Sequence, residues 1–318
     1  PEWFQGRRRP VANSAFVFLG RLSAGLVIVA CGWLIHSVDL WRHHLPGLLQ
    51  DVPAWRLVLG AAALPGLLLL PLVFTLPPMH VRAVAQTPVR VAAVLRSNPA
   101  AFAAILGGAG LLSLGANAFG TFVPVAVARA WGVPPLQAGQ GLGAAALAGA
   151  VSALAITAVL TRLSGLTQRH GTAMALAAFA LACSAATALG APLASSPAMF
   201  LALYGLSLAG VMTAVMLLPT ALQPLCPPQV RVRLMSLFVG TTIVVGSAGP
   251  VVVGALSDGF GGTARGLIMA MATVALVSHA MAAMLLTWGA RRCAHDVPAD
   301  DGAQLARATP AGRMPQPS

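Results

Sequence analysis

Long apolar stretches separated by short polar breaks dominate this chain. A helix needs about 20 mostly apolar residues to cross a lipid bilayer. The breaks between the stretches contain proline, glycine and arginine, as in PPMHVRAVAQTPVR and RAWGVPPLQAG. The pattern predicts an all-α polytopic membrane protein with eight spans, at residues of about 12–35, 57–76, 100–128, 136–160, 171–191, 198–218, 233–256 and 265–289.

The composition excludes a water-soluble globule. The 318 residues are 58% hydrophobic and only 8% charged, whereas soluble domains carry roughly 25% charged residues. The mean hydropathy is +0.83. Four cysteines (Cys31, Cys183, Cys226 and Cys293) are scattered without a CxxC pair or clustered histidines. We therefore predict no metal site, no disulfide and no cofactor.

The positive charge follows the predicted topology. The net charge is +12, and all basic residues are arginines. Twelve arginines lie in segments on one side of the predicted membrane and only four on the other. Since cytoplasmic loops carry an excess of positive charge, both ends of this chain are predicted to be cytoplasmic. The charge therefore indicates membrane topology and not a nucleic-acid partner.

The two ends of the sequence differ from its middle. Residues 293–318 are polar and rich in proline and alanine, which is typical of a disordered tail. The chain begins with Pro1 and shows no signal-peptide pattern at its start. We expect an N-terminal part of the protein to be missing from this sequence.

Four segments, in this order, resemble parts of the major facilitator superfamily. PEWFQGRRRPVANSAFVFLG is similar to the cytoplasmic loop into the fifth helix of that family, and WRLVLGAAALPGLLLLPLVFTLP to its sixth helix. FGTFVPVAVARAWGVPPLQAGQGLG resembles the end of the seventh helix, and VRLMSLFVGTTIVVGSAGPVVVGALSDGFGG the eleventh. The nearest branches are the spinster-like and organic-anion symporter groups.

The resemblance implies a partial major facilitator fold whose eight spans are helices five to twelve. Residues 1–76 would end the N-terminal half with two spans, and residues 77–99 would form a cytoplasmic linker. Residues 100–292 would form the six-helix C-terminal half, before the tail at 293–318. The resemblance further implies a monomer in the lipid bilayer of the bacterial inner membrane. Its partners would be a small-molecule substrate and a coupling ion, with proton and sodium both open.

Arg21 is the one charged side chain predicted to lie deep within a span. It follows Arg9 by twelve residues, or about 18 Å of helix. This places it near the middle of a core about 30 Å thick, where charged groups are costly and usually functional. It could meet an anionic group of a substrate, pair with another helix, or snorkel to the interface. All seven acidic residues lie outside the predicted spans, so an embedded carboxylate relay would lie outside this sequence.

Polar residues recur on one face of the predicted seventh helix. Ser113, Asn117 and Thr121 are spaced by four residues, so they share a face. They could contact a substrate, or they could form hydrogen bonds between helices. Tyr204, the only tyrosine, lies in the predicted tenth helix. It could donate a hydrogen bond to a substrate or pack in the core.

Glycine, proline and histidine in the remaining spans favour structural roles. The residues concerned are Gly25 in the fifth helix and Gly246, Gly249, Pro250 and Gly254 in the eleventh. They indicate close helix packing and a gating kink. His279 lies in the twelfth helix, which the resemblance places at the periphery. We therefore expect it to be structural or to face lipid.

The resemblance implies a secondary transporter of a small organic solute that rocks two halves around a midplane site. Arg21 favours an organic anion as the substrate. Efflux of amphipathic drugs is the alternative, since an apolar cavity would suffice for it. A membrane-integrated enzyme or scaffold is a hypothesis of another class. The sequence contains no GxSxG, HExxH or Walker pattern in an enzymatic context, so we predict that the protein is not an enzyme.

Overall fold

The computed structural model is helical throughout the part of the chain that it describes. Seven of its helices are long and apolar enough to cross a bilayer, and no strand occurs among the described residues. These findings confirm the all-α membrane class. The described residues are 19–20, 23, 26–27, 29–35, 37–38, 40–44, 46–75, 90–163, 170–227 and 229–295.

The helices are numbered here in chain order, and seven of them overlap predicted spans. Six of these, α4 to α9, fall on the predicted C-terminal half, and the seventh is α2. The bounds are α1 Gly47–Gln50, α2 Ala54–Val73, α3 Val91–Ser97, α4 Pro99–Trp131, α5 Pro135–Leu163, α6 His170–Gly190, α7 Pro197–Leu222, α8 Arg231–Gly259 and α9 Ala264–His295.

Three predicted segments lie partly or wholly outside the described residues. Of the first span, at 12–35, the helical residues 29–35 belong to the longest described stretch. The predicted linker at 77–99 is described from residue 90 onward, where it contains the short helix α3. Of the predicted tail, α9 includes the first residues, to His295. Residues 296–318 lie outside the description.

Capping residues explain where the long helices begin and end. Asn98 precedes α4, and its side chain accepts a hydrogen bond from the backbone N–H of Ala101 at 3.4 Å. Ser196 caps α7 in the same way through the N–H of Met199, at 3.2 Å. A proline follows each cap, as is common at a first helical position. Gly132 ends α4 with φ of 65°, a left-handed conformation that glycine adopts without strain.

Helices α4 to α9 pack into one bundle with α4 near its centre. Helix α4 packs along α9 and α8, and it also contacts α7. Helix α6 lies between α9 and α7, and α5 packs on α7. The buried hydrophobic residues form two clusters, one around Phe102 and Met174 and the other around Phe119 and Phe200. One cluster surrounds the N-terminal part of α4 and the other its C-terminal part, so α4 is packed against buried residues along most of its length.

Small residues allow the backbones to approach closely. A Cβ atom added to Gly149 on α5 would lie 2.9 Å from the carbonyl oxygen of Gly205 on α7. In the helical stretch at 29–35, a Cβ atom on Gly32 would lie 3.3 Å from the Cα atom of Gly139 on α5. Such small-residue contacts are typical of helices that associate in membranes.

Helix α2 carries its leucines on the outside. Leu64, Leu67, Leu68, Leu69 and Leu70 are all more than half exposed. Lipid tails are as apolar as leucine, so a spanning helix loses little by exposing such a surface to the bilayer. Composition therefore identifies α2 as a span even though its packing within the described bundle is slight.

Candidate functional site

A cavity of about 460 Å³ lies between α4 and α7. It brings together all four of the polar residues that the sequence singled out on these two helices. The complete lining is Leu112, Ser113, Ala116, Asn117, Gly120 and Thr121 from α4, with Tyr204, Leu208, Val211, Met212 and Val215 from α7.

The polar side of the cavity is built by the periodicity of α4. Residues four apart stack on one helical face, so Ser113, Asn117 and Thr121 form a row along the cavity wall. Asn117 and Thr121 are exposed, and Ser113 is partly buried. The middle of the row is close to the midpoint of the 33-residue helix. The site therefore lies near the centre of a bilayer-spanning bundle.

The polar groups in this row have no partner in the described part of the chain. Serine and threonine in these helices commonly satisfy themselves on the backbone: the hydroxyl of Thr213, for example, donates to the carbonyl of Ala209 at 2.8 Å. The side chains of Ser113, Asn117 and Thr121 make no hydrogen bond to any described residue. Polar groups at membrane depth need a partner, and a solute or water in the cavity can supply it.

Tyr204 combines a packed ring with a hydroxyl at the cavity. The ring lies against Phe119, with 5.6 Å between the two ring centroids. Its hydroxyl would be 3.2 Å from a Cβ atom added to Gly120, so the lack of a side chain there leaves room beside the hydroxyl. Tyr204 therefore packs in the core, which is one of the two roles that the sequence left open, and contact of its hydroxyl with a solute stays a prediction.

The opposite wall of the cavity is apolar. On α7, Leu208, Val211, Met212 and Val215 all face it. The described lining contains no charged residue. This part of the site suits an uncharged, partly apolar portion of a solute that also offers groups for hydrogen bonds.

Helix α8 packs closely against the polar face of α4 at positions where α8 has glycine. A Cβ atom on Gly246 would lie 2.7 Å from the amide nitrogen of Asn117, and one on Gly249 would lie 2.9 Å from the backbone nitrogen of Ala118. Helix α8 continues through Pro250. Gly254 differs from the other two glycines, since an added Cβ would have no atom within 4 Å. The close approach to α4 is therefore made by Gly246 and Gly249.

Two further predicted residues, Arg21 and Gly25, lie outside the described residues. Their roles in substrate binding and packing remain predictions. Among the described residues, no group of three or more His, Cys, Asp and Glu side chains could hold a metal ion. The thiols of Cys31, Cys183 and Cys226 are not in a disulfide bond.

Of the two roles that the sequence left open for His279, structural or facing lipid, the structure supports the first. His279 is fully buried within the bundle, and its Nδ1 atom lies 3.1 Å from the hydroxyl of Ser184 on α6. Asp258, which the sequence placed beyond the end of its span, lies in the last turn of α8 and is exposed. A histidine within an apolar span is itself a sequence signal for burial, because such a group is costly in lipid.

These features define a multi-pass membrane protein with a polar cavity near the midplane of a helical bundle. The sequence pattern of the Major Facilitator Superfamily matches residues 1–242, which is more than half of the chain. The chain belongs to the major facilitator superfamily. The predicted family is thus confirmed.

A solved structure also shares the fold. It is the crystal structure of a bacterial homolog to the human lysosomal transporter Spinster, in an inward-facing and unoccupied conformation. The TM-score is 0.53 at 16% sequence identity, and the match covers 87% of this chain and 66% of that one. This chain thus spans about two thirds of the length of its structural relative. Among curated proteins, no sequence matches this chain.

The comparisons agree with the prediction that the chain is not an enzyme, since the family and the Spinster homolog are transporters. At 16% identity the structural likeness concerns the fold. The residues that line the cavity are therefore the basis for proposing a substrate.

Proposed function

We propose that this protein is a secondary transporter that carries a small organic solute across a membrane by alternating access. The observation that carries this proposal is the row of Ser113, Asn117 and Thr121, whose hydrogen-bonding groups are uncommitted at the cavity near the midplane. Alternating access moves two halves around such a site. The arginine distribution supports a bacterial inner membrane with cytoplasmic ends.

The preferred substrate is a small organic anion. The described cavity supplies hydrogen-bonding groups and apolar surface but no charge. Its polar row and its apolar wall would hold the uncharged part of the solute. Arg21 would then supply the charge that recognises the anionic group, because it is the one arginine expected deep within a span.

Efflux of amphipathic compounds is the second candidate. The stripe of Leu208, Val211, Met212 and Val215 favours it, because these side chains form an apolar wall on α7. Methionine adapts its shape to different partners, which suits a site for varied apolar solutes. In this case Arg21 would have no role in binding.

Uptake into proteoliposomes tests the proposal. The probes are labelled succinate and benzoate as organic acids and ethidium as an amphipathic cation. Asn117→Ala should raise the KM for a transported solute about fivefold, because one lost hydrogen bond costs about 1 kcal/mol. Ser247→Ala is the matched control, since its exposed hydroxyl already donates to the carbonyl of Val244 at 2.8 Å.

The variant Arg21→Ala separates the two candidates. Loss of organic-acid uptake in this variant would support the anion proposal. Unchanged organic-acid uptake would refute the role of Arg21, and transport of ethidium alone would favour efflux of amphipathic compounds. If Asn117→Ala and Ser247→Ala behave alike with every transported probe, the cavity is not the binding site.

A further inference from the structure

Three polar side chains from three helices meet inside the bundle, away from the cavity. The hydroxyl oxygens of Ser184 on α6 and Ser207 on α7 are 2.7 Å apart, and the hydroxyl of Ser184 is 3.1 Å from Nδ1 of His279 on α9. Ser184 and His279 are fully buried, and Ser207 is 3% exposed. We call these three residues the His279 cluster.

The His279 cluster lies at the midplane of the bundle. Each of its members is within three residues of the midpoint of its span, which are Gly171–Leu193, Pro197–Leu222 and Ala264–Cys293. Helices rise about 1.5 Å per residue, so all three members lie within a few ångströms of the centre. A titratable group at this depth is costly, and it usually marks an ion or substrate pathway.

The second ring nitrogen of His279 points at α4. A Cβ atom added to Gly115, the middle residue of that helix, would lie 2.6 Å from Nε2. Nε2 has no hydrogen bond of ordinary geometry to a described atom, and the backbone of Leu112 on α4 interacts with the ring. The ring thus has one partnered nitrogen and one that is buried without a partner.

No charged side chain of the described bundle balances a charge at this place. On α4 the only ionised residue is Arg129, near the end of the helix, and α9 has arginines only near its ends. The titratable groups nearest in sequence are Cys183, which is exposed beside Ser184, and Tyr204, one turn before Ser207 and directed at Gly120. Any change of charge in the cluster is therefore a change at His279.

The two serine hydroxyls can satisfy both protonation states of the ring, because either oxygen can be the donor in their hydrogen bond. With a neutral ring, Nδ1–H donates to Ser184 and Ser184 donates to Ser207, which leaves the lone pair of Nε2 without a proton or a partner. With a protonated ring, both bonds persist, and the added proton is on Nε2, which faces α4. Ser207 can then donate to a carbonyl in the preceding turn, as serines in helices often do. The serine pair thus accommodates one more proton on the ring without breaking either bond.

We propose that His279 is a proton-binding site of the C-terminal half, with Ser184 and Ser207 as its hydrogen-bond partners and α4 as the helix that responds. A hydronium ion gives its proton to the lone pair of Nε2, leaving water and an imidazolium with one positive charge. This inference rests on the proposed transport function, because it makes the proton the coupling ion.

Helix α4 connects this site to the cavity. Gly115 faces His279, while the next two residues, Ala116 and Asn117, line the cavity. A protonated ring needs an acceptor at Nε2, and the backbone of Leu112 on α4 interacts with the ring, so its carbonyl is the acceptor that we propose. Drawing that carbonyl into a hydrogen bond shifts α4 toward α9, and it moves the polar row with it.

Ring titration tests the proton site without any solute. The protein, labelled with ¹⁵N-histidine, is placed in lipid nanodiscs, and the ring nitrogen signals are followed as the pH is lowered. His279→Gln identifies the signal by its loss. We expect the His279 signal to change from neutral to imidazolium while the protein stays folded. A ring that stays neutral until the protein unfolds would overturn the proposal.

The variant Ser184→Ala tests the hydroxyl partner. Hydrogen bonds to charged groups contribute about 1.5–3 kcal/mol, so the ratio of protonated to neutral ring at a given pH should fall about tenfold. Ser152→Ala, an exposed serine on α5, is the control and should leave the ratio unchanged. If the ratio of protonated to neutral ring is the same in both variants, Ser184 and Ser207 do not stabilise the protonated ring.

Uptake measurements test the coupling separately. With a probe that the protein transports, an imposed proton gradient should increase uptake severalfold, and His279→Gln should lose this increase while still exchanging solute. A variant that keeps the increase would overturn the coupling role even if the ring titrates. If no probe is transported, the transport function fails, and the ring titration still decides whether His279 binds a proton.

Discussion

Gly246 on α8 leaves the space that the side-chain amide of Asn117 on α4 occupies. A Cβ atom on the glycine would lie 2.7 Å from the amide nitrogen and 3.1 Å from the Cβ atom of Ser113. Two residues of the polar row therefore contact the backbone of α8 directly. A change in the distance between α8 and α4 must change the position of the Asn117 amide at the cavity.

We predict that Gly246→Ala impairs transport more than it impairs folding. The added methyl group meets the mobile end of Asn117, which can move aside, but the moved amide no longer presents the same groups to the cavity. We expect about a tenfold loss in kcat/KM for a transported probe, equivalent to about 1.4 kcal/mol. Gly254→Ala, with open space around its Cβ, is the control. Equal kcat/KM in the two variants would contradict the prediction.

Gly115→Ala should destabilise the bundle. The new methyl group would meet the hydroxyl of Ser278 and lie 2.6 Å from Nε2 of His279. Overpacking of this kind costs about 1–3 kcal/mol, and it should appear as a lower Tm of the protein in detergent. Adding Ser278→Ala should recover part of the loss by removing one of the two clashes. Gly259→Ala has no atom within 4 Å, and a Tm change as large as that of Gly115→Ala would refute the packing argument.

Replacing Gly132 should also destabilise the protein, but because of its backbone conformation and not because of packing. Its φ of 65° follows the end of α4, and a Cβ there would touch nothing. The left-handed conformation costs a residue with a side chain roughly 1–2 kcal/mol, so Gly132→Ala should lower the free energy of unfolding by about this amount. Gly240→Ala, also in open space but inside α8, should change it by less or raise it, since alanine favours helix. The reverse order would contradict the backbone argument.

Cys226 should be shielded from alkylation in the folded protein. Burial raises the pKa of its thiol, and the nearby Arg231 offsets only part of that rise. The thiol also donates to the carbonyl of Leu222 at 3.1 Å. In a background without the other three cysteines, maleimide should label Cys226 only after unfolding. Gln229→Cys, at an exposed position, should be labelled at once in a variant that lacks Cys226.

The raised pKa of the Cys226 thiol also predicts how the stability of the protein changes with pH. A thiol whose pKa is higher in the folded state favours folding fully below the unfolded pKa, and this contribution is lost as the pH rises through the folded pKa. The wild-type Tm should therefore fall more on going to alkaline pH than that of Cys226→Ser. Parallel Tm curves for the two proteins would contradict this assignment.

The sequence predicted the spans and the polar face well because both follow from simple periodicities. The predicted span at 100–128 became α4 at Pro99–Trp131, and the spacing of four residues correctly placed Ser113, Asn117 and Thr121 together. That Tyr204 lies across from them could not be read from either helix alone. It depends on how α7 packs against α4, which is a contact between distant parts of the chain.

The sequence left a structural and a lipid-facing position for His279 both open, because apolarity does not identify the buried face of a spanning helix. Lipid and protein core are equally apolar environments, so α9 offers no hydrophobic face that distinguishes them. Its partners Ser184 and Ser207 lie on two other helices, more than seventy residues away in sequence. Only the packing of α6, α7 and α9 reveals that three scattered polar residues form one cluster.

The contact between Gly32 and Gly139 has a mechanical consequence. These residues lie in parts of the chain that the family fold assigns to different halves, and only 3.3 Å would separate an added Cβ on Gly32 from the Cα atom of Gly139. Where large side chains interlock, helices must unpack them to shift. Neither glycine has a side chain, so no side chains interlock between these two residues. The two helices can therefore shift along each other at this contact. A close contact without interlocking side chains would suit the alternating-access mechanism proposed above, in which two halves move against each other.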